Sequence, residues 1–174
     1  MKIIYFSLLL TLLLSACSTP EGGAKVELQN KITSMEDSLR KNPSALSAPK
    51  LALANMYLSY QEKFPEDEQA PAYLDKAHMV YSGIGLYVKS AKLADLIIEK
   101  YPKYINRAMV LESQATNYDY LIEPRDSAKV RYYYNLLLSE NPNFDKDARK
   151  QIVYRLKNNH LTLNEFIKIQ DVQE

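Results

Sequence analysis

Two kinds of hydrophobic pattern run along this chain. Ile3 to Leu14 form an almost unbroken apolar run, whereas beyond residue 25 apolar positions recur at intervals of three and four among polar ones. The second pattern is that of helices that bury one stripe. Leu28, Ile32, Met35 and Leu39 predict a helix over 26–41, ended by Asn42-Pro43. Leu53, Tyr57, Tyr60 and Phe64 predict another over 48–63, with Ser47 as its cap and Pro49 in its first turn. Stripes of Ala70/Leu74/Ala77/Tyr81 and Tyr87/Ala91/Ala94/Ile98 predict helices over 70–82 and 87–101, separated at Gly83–Gly85. Ala108/Leu111/Ala115/Tyr118 predict one over 106–122, with Pro124 as punctuation. Val130/Tyr134/Leu137 and Ala148/Ile152/Leu156 predict helices over 127–140 and 146–158. A short last helix starts at Thr162, whose spacing to Glu165 fits a capping box.

Three of these helices end alike, in YQEKFPED, IIEKYPKY and LLSENPNF. Aligning Pro65, Pro102 and Pro142 brings the preceding stripes into register at spacings of 37 and 40 residues. A tetratricopeptide repeat is a helix-turn-helix of 34 residues with small residues at its crossings and a proline after the second helix. Gly85, Tyr87, Ser90 and Pro102 resemble the second half of such a unit. Between Tyr57 and Pro102 the chain resembles tetratricopeptide-type lipoproteins of the Bacteroidetes. It is more distantly similar to BamD, the lipoprotein of outer-membrane β-barrel assembly. The matching positions are Tyr60, Phe64, Pro65, Pro71, Leu74, Ala77, Ala91, Tyr101 and Pro102. The resemblance implies an all-α, tetratricopeptide-like helix-pair solenoid of about three degenerate repeats, with a place in outer-membrane protein assembly. Ala77, Ala91, Ala94 and Ala115 are expected at close helix crossings.

The first pattern has a different meaning. Lys2, the apolar run and the small residues Ser15 and Ala16 have the layout of a secretory signal peptide. The run of about 12 residues is shorter than the ~20 that span a bilayer. Leu14-Ser15-Ala16-Cys17 resembles the bacterial lipobox, which implies acylation of the Cys17 thiol and cleavage before it. Cys17 is the only cysteine, so a free thiol in an exported chain would otherwise lack an explanation. The same resemblance implies an outer-membrane address, because Ser18 stands where an aspartate would favour inner-membrane retention. With only Glu21 acidic in the segment that follows, a periplasm-facing position is expected. The expected organisation is a signal peptide over 1–16, the lipidated cysteine and a flexible tether over 17–25, and an N-terminal helix over 26–46. A helical repeat domain over 47–158 and a short C-terminal helix and tail over 159–174 complete it.

Composition agrees with a helical chain that carries no general electrostatic signal. Four glycines in 174 residues and abundant Ala, Leu, Lys and Glu favour helix. A net charge of +1 gives no case for nucleic acid. Chemistry is sparse. His78 and His160 are scattered and read as packed or solvated side chains, and a single lipidated cysteine with two histidines makes no metal cluster. Glu66-Asp67-Glu68 lacks calcium-loop spacing and reads as favourable charge at the start of the next helix. No catalytic residue, metal or cofactor is assigned beyond the lipid on Cys17, and no small-molecule substrate is expected.

Tyrosine is the informative excess, at 14 residues. Tyr132, Tyr133 and Tyr134 are consecutive on a helix, and steps of ~100° sweep them over more than one narrow stripe. Tyr and Arg are favoured at interfaces. Tyr132 and Tyr133, with Arg125 and Arg131 nearby, are therefore the candidate partner contact, against the alternative that the rings pack between layers of the stack. The segment from Arg125 to Lys157 holds eight basic and four acidic residues, with Lys146, Arg149, Lys150, Arg155 and Lys157 as a solvated face or a contact for acidic groups. The leading expectation is a membrane-anchored, non-catalytic scaffold for an envelope or outer-membrane protein. The alternative is an envelope enzyme acting on peptidoglycan or glycans, which would need paired carboxylates in a deep pocket.

Overall fold

A computed structural model describes residues 20–43 and 46–171. The signal-peptide run, Cys17 and Ser18 lie outside the described residues. The described chain is all helical: α1 (Pro20–Lys41), α2 (Ser47–Lys63), α3 (Ala70–Gly83), α4 (Tyr87–Lys100), α5 (Arg107–Thr116), a π turn (Asn117–Leu121), α6 (Ser127–Glu140), α7 (Lys146–Lys157) and α8 (Leu163–Asp171). Each helix from α1 to α7 packs against the next, which makes the predicted helix-pair solenoid. No helix among the described residues is long and apolar enough to cross a membrane.

The stripes read from the sequence face inward. Leu53, Tyr57 and Tyr60 of α2 and Leu74, Ala77 and Tyr81 of α3 are buried, as are Val130, Tyr134 and Leu137 of α6. Ala77, Ala91, Ala94 and Ala115 are all buried, so helices approach where only a methyl group separates their backbones. Tyrosine fills the wider gaps between layers: Tyr73 packs against Tyr57 and Tyr60 with centroids 5.6 and 4.4 Å apart. Thr162 and Glu165 form the capping box of α8 that their spacing predicts, and Asp126 and Asp145 cap α6 and α7 by accepting backbone N–H groups. Gly85 takes φ +79° in the tight turn between α3 and α4, a conformation that L side chains rarely adopt.

Three local expectations are corrected. The stretch 20–25, read as tether, is helical, because Pro20 suits a first helical turn and Lys25 is held by an ion pair to Asp67. Two glycines in that turn cost about 1 kcal/mol each relative to alanine, so tertiary contacts override propensity there. Ser47 begins α2 without capping it; Leu46 holds the N-cap position and no side chain accepts there. The helix expected over 106–122 stops being α-helical at Thr116 and widens into the π turn.

Contacts across the stack show its order. Lys25 of α1 meets Asp67 in the α2–α3 loop, while Glu36 of the same helix accepts from Lys76 Nζ of α3 at 2.7 Å. Thus α1 runs parallel to α3 and antiparallel to α2, and the alternation continues through α6. The loops over 64–69, 101–106 and 141–145 consequently share one edge. Tyr101 donates its hydroxyl to the Pro65 carbonyl at 3.0 Å, and Arg107 pairs with Glu140 at 2.7 Å along that edge.

Candidate partner-binding site

The four residues expected to form a contact surface divide into two pairs. Tyr132 is 58% exposed and Arg131 is also exposed, on the outer face of α6, where a shallow depression lies beside Leu136 and Ser139. Tyr133 is only 7% exposed. Its hydroxyl donates to the Asp95 carboxylate on α4, and its ring stacks on Tyr118 of the π turn at 5.8 Å. Burial, together with the carboxylate it donates to, pushes that hydroxyl well above the usual phenol range. Tyr133 is therefore a packing residue rather than an accessible contact, because a helix rotates it ~100° from its exposed neighbour. Tyr134 is buried as well.

Arg125 is likewise taken up inside. Its Nε donates to Asp119 Oδ1 at 2.7 Å, and its two Nη groups donate to the carbonyl and side-chain oxygens of Asn159 at 2.8 and 2.7 Å. Arg155, counted from sequence among the solvated cations of α7, is 3% exposed. It grips the same carboxylate through Nε to Oδ2 at 2.7 Å and Nη2 to Oδ1 at 2.6 Å. Burial would lower its affinity for a proton, but the hydrogen bonds and charge of Asp119 outweigh this and raise it. Arg149 is also withdrawn from the surface set, since it donates to the carbonyls of Leu138 and Asn141. Lys146, Lys150 and Lys157 remain exposed on α7.

The π turn makes this network possible. Widening the helix by a residue turns Asp119 inward, where two guanidinium groups converge on it. Arg155 also donates to the carbonyls of Asn158 and Leu161, and Asn159 Nδ2 donates to the Ser127 carbonyl. One carboxylate thus ties the end of α5, the start of α6, the end of α7 and the turn into α8. The guanidinium plane of Arg155 lies 4.7 Å from the Phe166 ring, so α8 is seated by a cation–π contact as well.

Above this network lies an open cleft of about 620 Å³ between α5 with its π turn, α7 and α8. Tyr120, Tyr154 and Phe166 form much of its wall, Ile167 sits exposed at its rim, and Glu112 and Gln151 supply polar groups. Sequence reasoning passed over Asp119, Asn159 and this cleft. A signal did exist for Arg155: it follows Ile152 by three and Ala148 by seven residues, which places it on the apolar face of α7.

The histidines do not line the cleft. His78 is enclosed, with Nδ1 2.8 Å from Ser90 Oγ and Nε2 2.9 Å from Ser113 Oγ, and it joins α3, α4 and α5. His160 is exposed. Asp67, expected to favour the start of α3 by its charge, instead accepts from Lys25, Tyr60 and the Gln69 backbone. Among the described residues no group of three or more His, Cys, Asp or Glu side chains is placed to hold a metal ion.

Fold and site together define an all-α helix-pair solenoid with an aromatic cleft near its C-terminal end. Comparison with protein-family models, with curated proteins and with solved structures gives no match.

Proposed function

We propose that this chain is a lipid-anchored, non-catalytic scaffold of a bacterial cell envelope, held by Cys17 to the periplasmic face of the outer membrane. It works by holding a segment of another envelope protein in the cleft between α5, α7 and α8. The observation that carries this reading is the cleft itself. Its floor is fixed by the Asp119–Arg155–Arg125 network, while Tyr120, Tyr154 and Phe166 wall it and Ile167 is exposed at its rim. A preorganised aromatic surface loses little side-chain freedom on binding, which is the property that distinguishes interface anchors. The lipobox-like Leu14–Cys17 supports the membrane address. The Tyr132–Arg131 patch on the exposed face of α6 serves as the secondary candidate.

A photoreactive side chain at Gln151 or Ile167 of the full, membrane-anchored chain tests this. A discrete polypeptide should cross-link at both positions, and Ile167→Glu should weaken its capture by at least about tenfold, or 1.4 kcal/mol, without changing the unfolding temperature. Cross-links confined to Tyr132 and Arg131 would move the contact to the outer face of α6.

A further inference from the structure

The edge that carries the start of α1 also carries the most exposed hydrophobic side chain among the described residues, Ile105 at 91%. Two adjoining depressions connect them. One runs from Gly22 and Lys25 to Pro65–Asp67, and the other from Pro65–Gln69 to Lys100–Ile105, so Pro65, Glu66 and Asp67 are common to both. The helix begins at Pro20, three residues beyond Cys17. Three residues reach at most about 11 Å. A lipid on Cys17 therefore holds a bilayer surface close to this edge, since the flexible tether expected over 17–25 is helical from Pro20 onward.

We propose that the solenoid stands on its own membrane by this edge, with Ile105 inserted at the bilayer interface; the proposal rests on the lipid-anchor reading of Cys17. The 101–106 loop is built for such a contact. Tyr104 donates to Asp75 Oδ2 at 2.9 Å and accepts from Asn106 Nδ2 at 3.1 Å, and Tyr101 is tied to the Pro65 carbonyl. Ile105 thus projects from two anchored tyrosines, with exposed Lys100 and Lys103 beside them. An apolar tip, aromatic rings at headgroup level and long cationic side chains that reach the interface are the composition membranes favour there. One isoleucine is too little to recruit a domain from solution. With the anchor in place, the contact becomes intramolecular and needs to fix only orientation. The occupant is the phospholipid surface that holds the anchor. The groups facing it include Glu66 and Glu68 as well as the lysines, so a strongly anionic membrane is not required.

Nitroxide labels decide the matter in the acylated full chain reconstituted in phosphatidylethanolamine/phosphatidylglycerol vesicles. Acylation consumes the Cys17 sulfur, so Ile105→Cys, and Lys41→Cys at the opposite edge, each offer one reactive thiol. At position 105 the ratio of collisions with oxygen to collisions with a water-soluble nickel chelate should rise severalfold over position 41. It should fall to the aqueous value when Cys17→Ser leaves the same labelled chain in solution. Aqueous values at both positions with Cys17 acylated by mass would overturn edge docking and leave the anchor standing. Shielding at position 41 instead would reverse the orientation and also overturn it. An unmodified Cys17 with no vesicle binding would overturn both readings.

Discussion

Tyr132 and Tyr133 are neighbours with opposite fates, and alanine substitution should separate them. Removing the buried Tyr133 ring takes away its stack on Tyr118 and leaves Asp95 without that donor. Tyr133→Ala should lower unfolding stability by about 3 kcal/mol, the usual range for a buried aromatic. Tyr132→Ala, on an exposed face, should cost less than about 0.5 kcal/mol. Denaturant midpoints would reveal equal costs if the division between core and surface were wrong. Asp119 makes the sharper case. Its carboxylate is fully enclosed, and Asp119→Ala strands two guanidinium groups. Breaking a buried pair from one side costs about 3–5 kcal/mol, so this variant should lose that much and expose α8 to protease. A loss under about 1 kcal/mol would show that the network does not hold the cleft together. Such residues were only partly legible beforehand. Periodicity placed Tyr133 within reach of both surface and core, and no local feature of NYDYL marks the inward turn of Asp119. A π turn depends on what packs against it, so its sign lies in Arg155 and Arg125, far away or beyond the turn in sequence.

At the scale of the element, α1 shows how a tertiary contact sets a boundary. Its stripe of Leu28, Ile32, Met35 and Leu39 was readable, but its extension to Pro20 was not, since Gly22-Gly23 argues for a loop. The extension exists because Lys25, Gln29 and Glu36 find partners on α2, α3 and the loop between them. Two of these contacts depend on ionised carboxylates. Burial works to raise both pKa values, but for Asp67 the Lys25, Gln69 and Tyr60 hydrogen bonds win and hold it below 3.8. For Glu36 those from Lys76 and Tyr57 hold it below 4.5. Folded values below the unfolded ones mean that this contribution is complete above about pH 4.5 and is lost as pH falls through the lowered values. Protection against hydrogen exchange over 25–36, relative to the intrinsic rate at each pH, should therefore fall below about pH 3.8, ahead of protection in α3, and Asp67→Asn should weaken that dependence. A uniform loss of protection across α1 and α3 would mean that α1 is not held by these groups. The helices α3, α4 and α6 were legible almost to the residue, because their stripes and the breakers Gly83–Gly85 and Pro124 are local signals.

For the whole molecule, the repeat was visible in the three aligned prolines, and the structure places the loops carrying them along one edge. That edge follows from the alternation of helix directions, which no single segment of sequence displays. The cleft has the same character: it needs α5 to meet α7 and α8, which follow it only after the π turn and the whole of α6. The proposed membrane contact and the proposed partner contact fall on different surfaces, the 64–69/101–106 edge and the C-terminal cleft. The central claim, that a helical scaffold is held at a membrane through Cys17, is tested most directly by mass spectrometry of the amino-terminal peptide from the membrane fraction of cells making the full chain. It should begin at Cys17, lack residues 1–16 and carry a diacylglyceryl thioether; an unmodified Cys17 thiol in the mature chain would contradict the account.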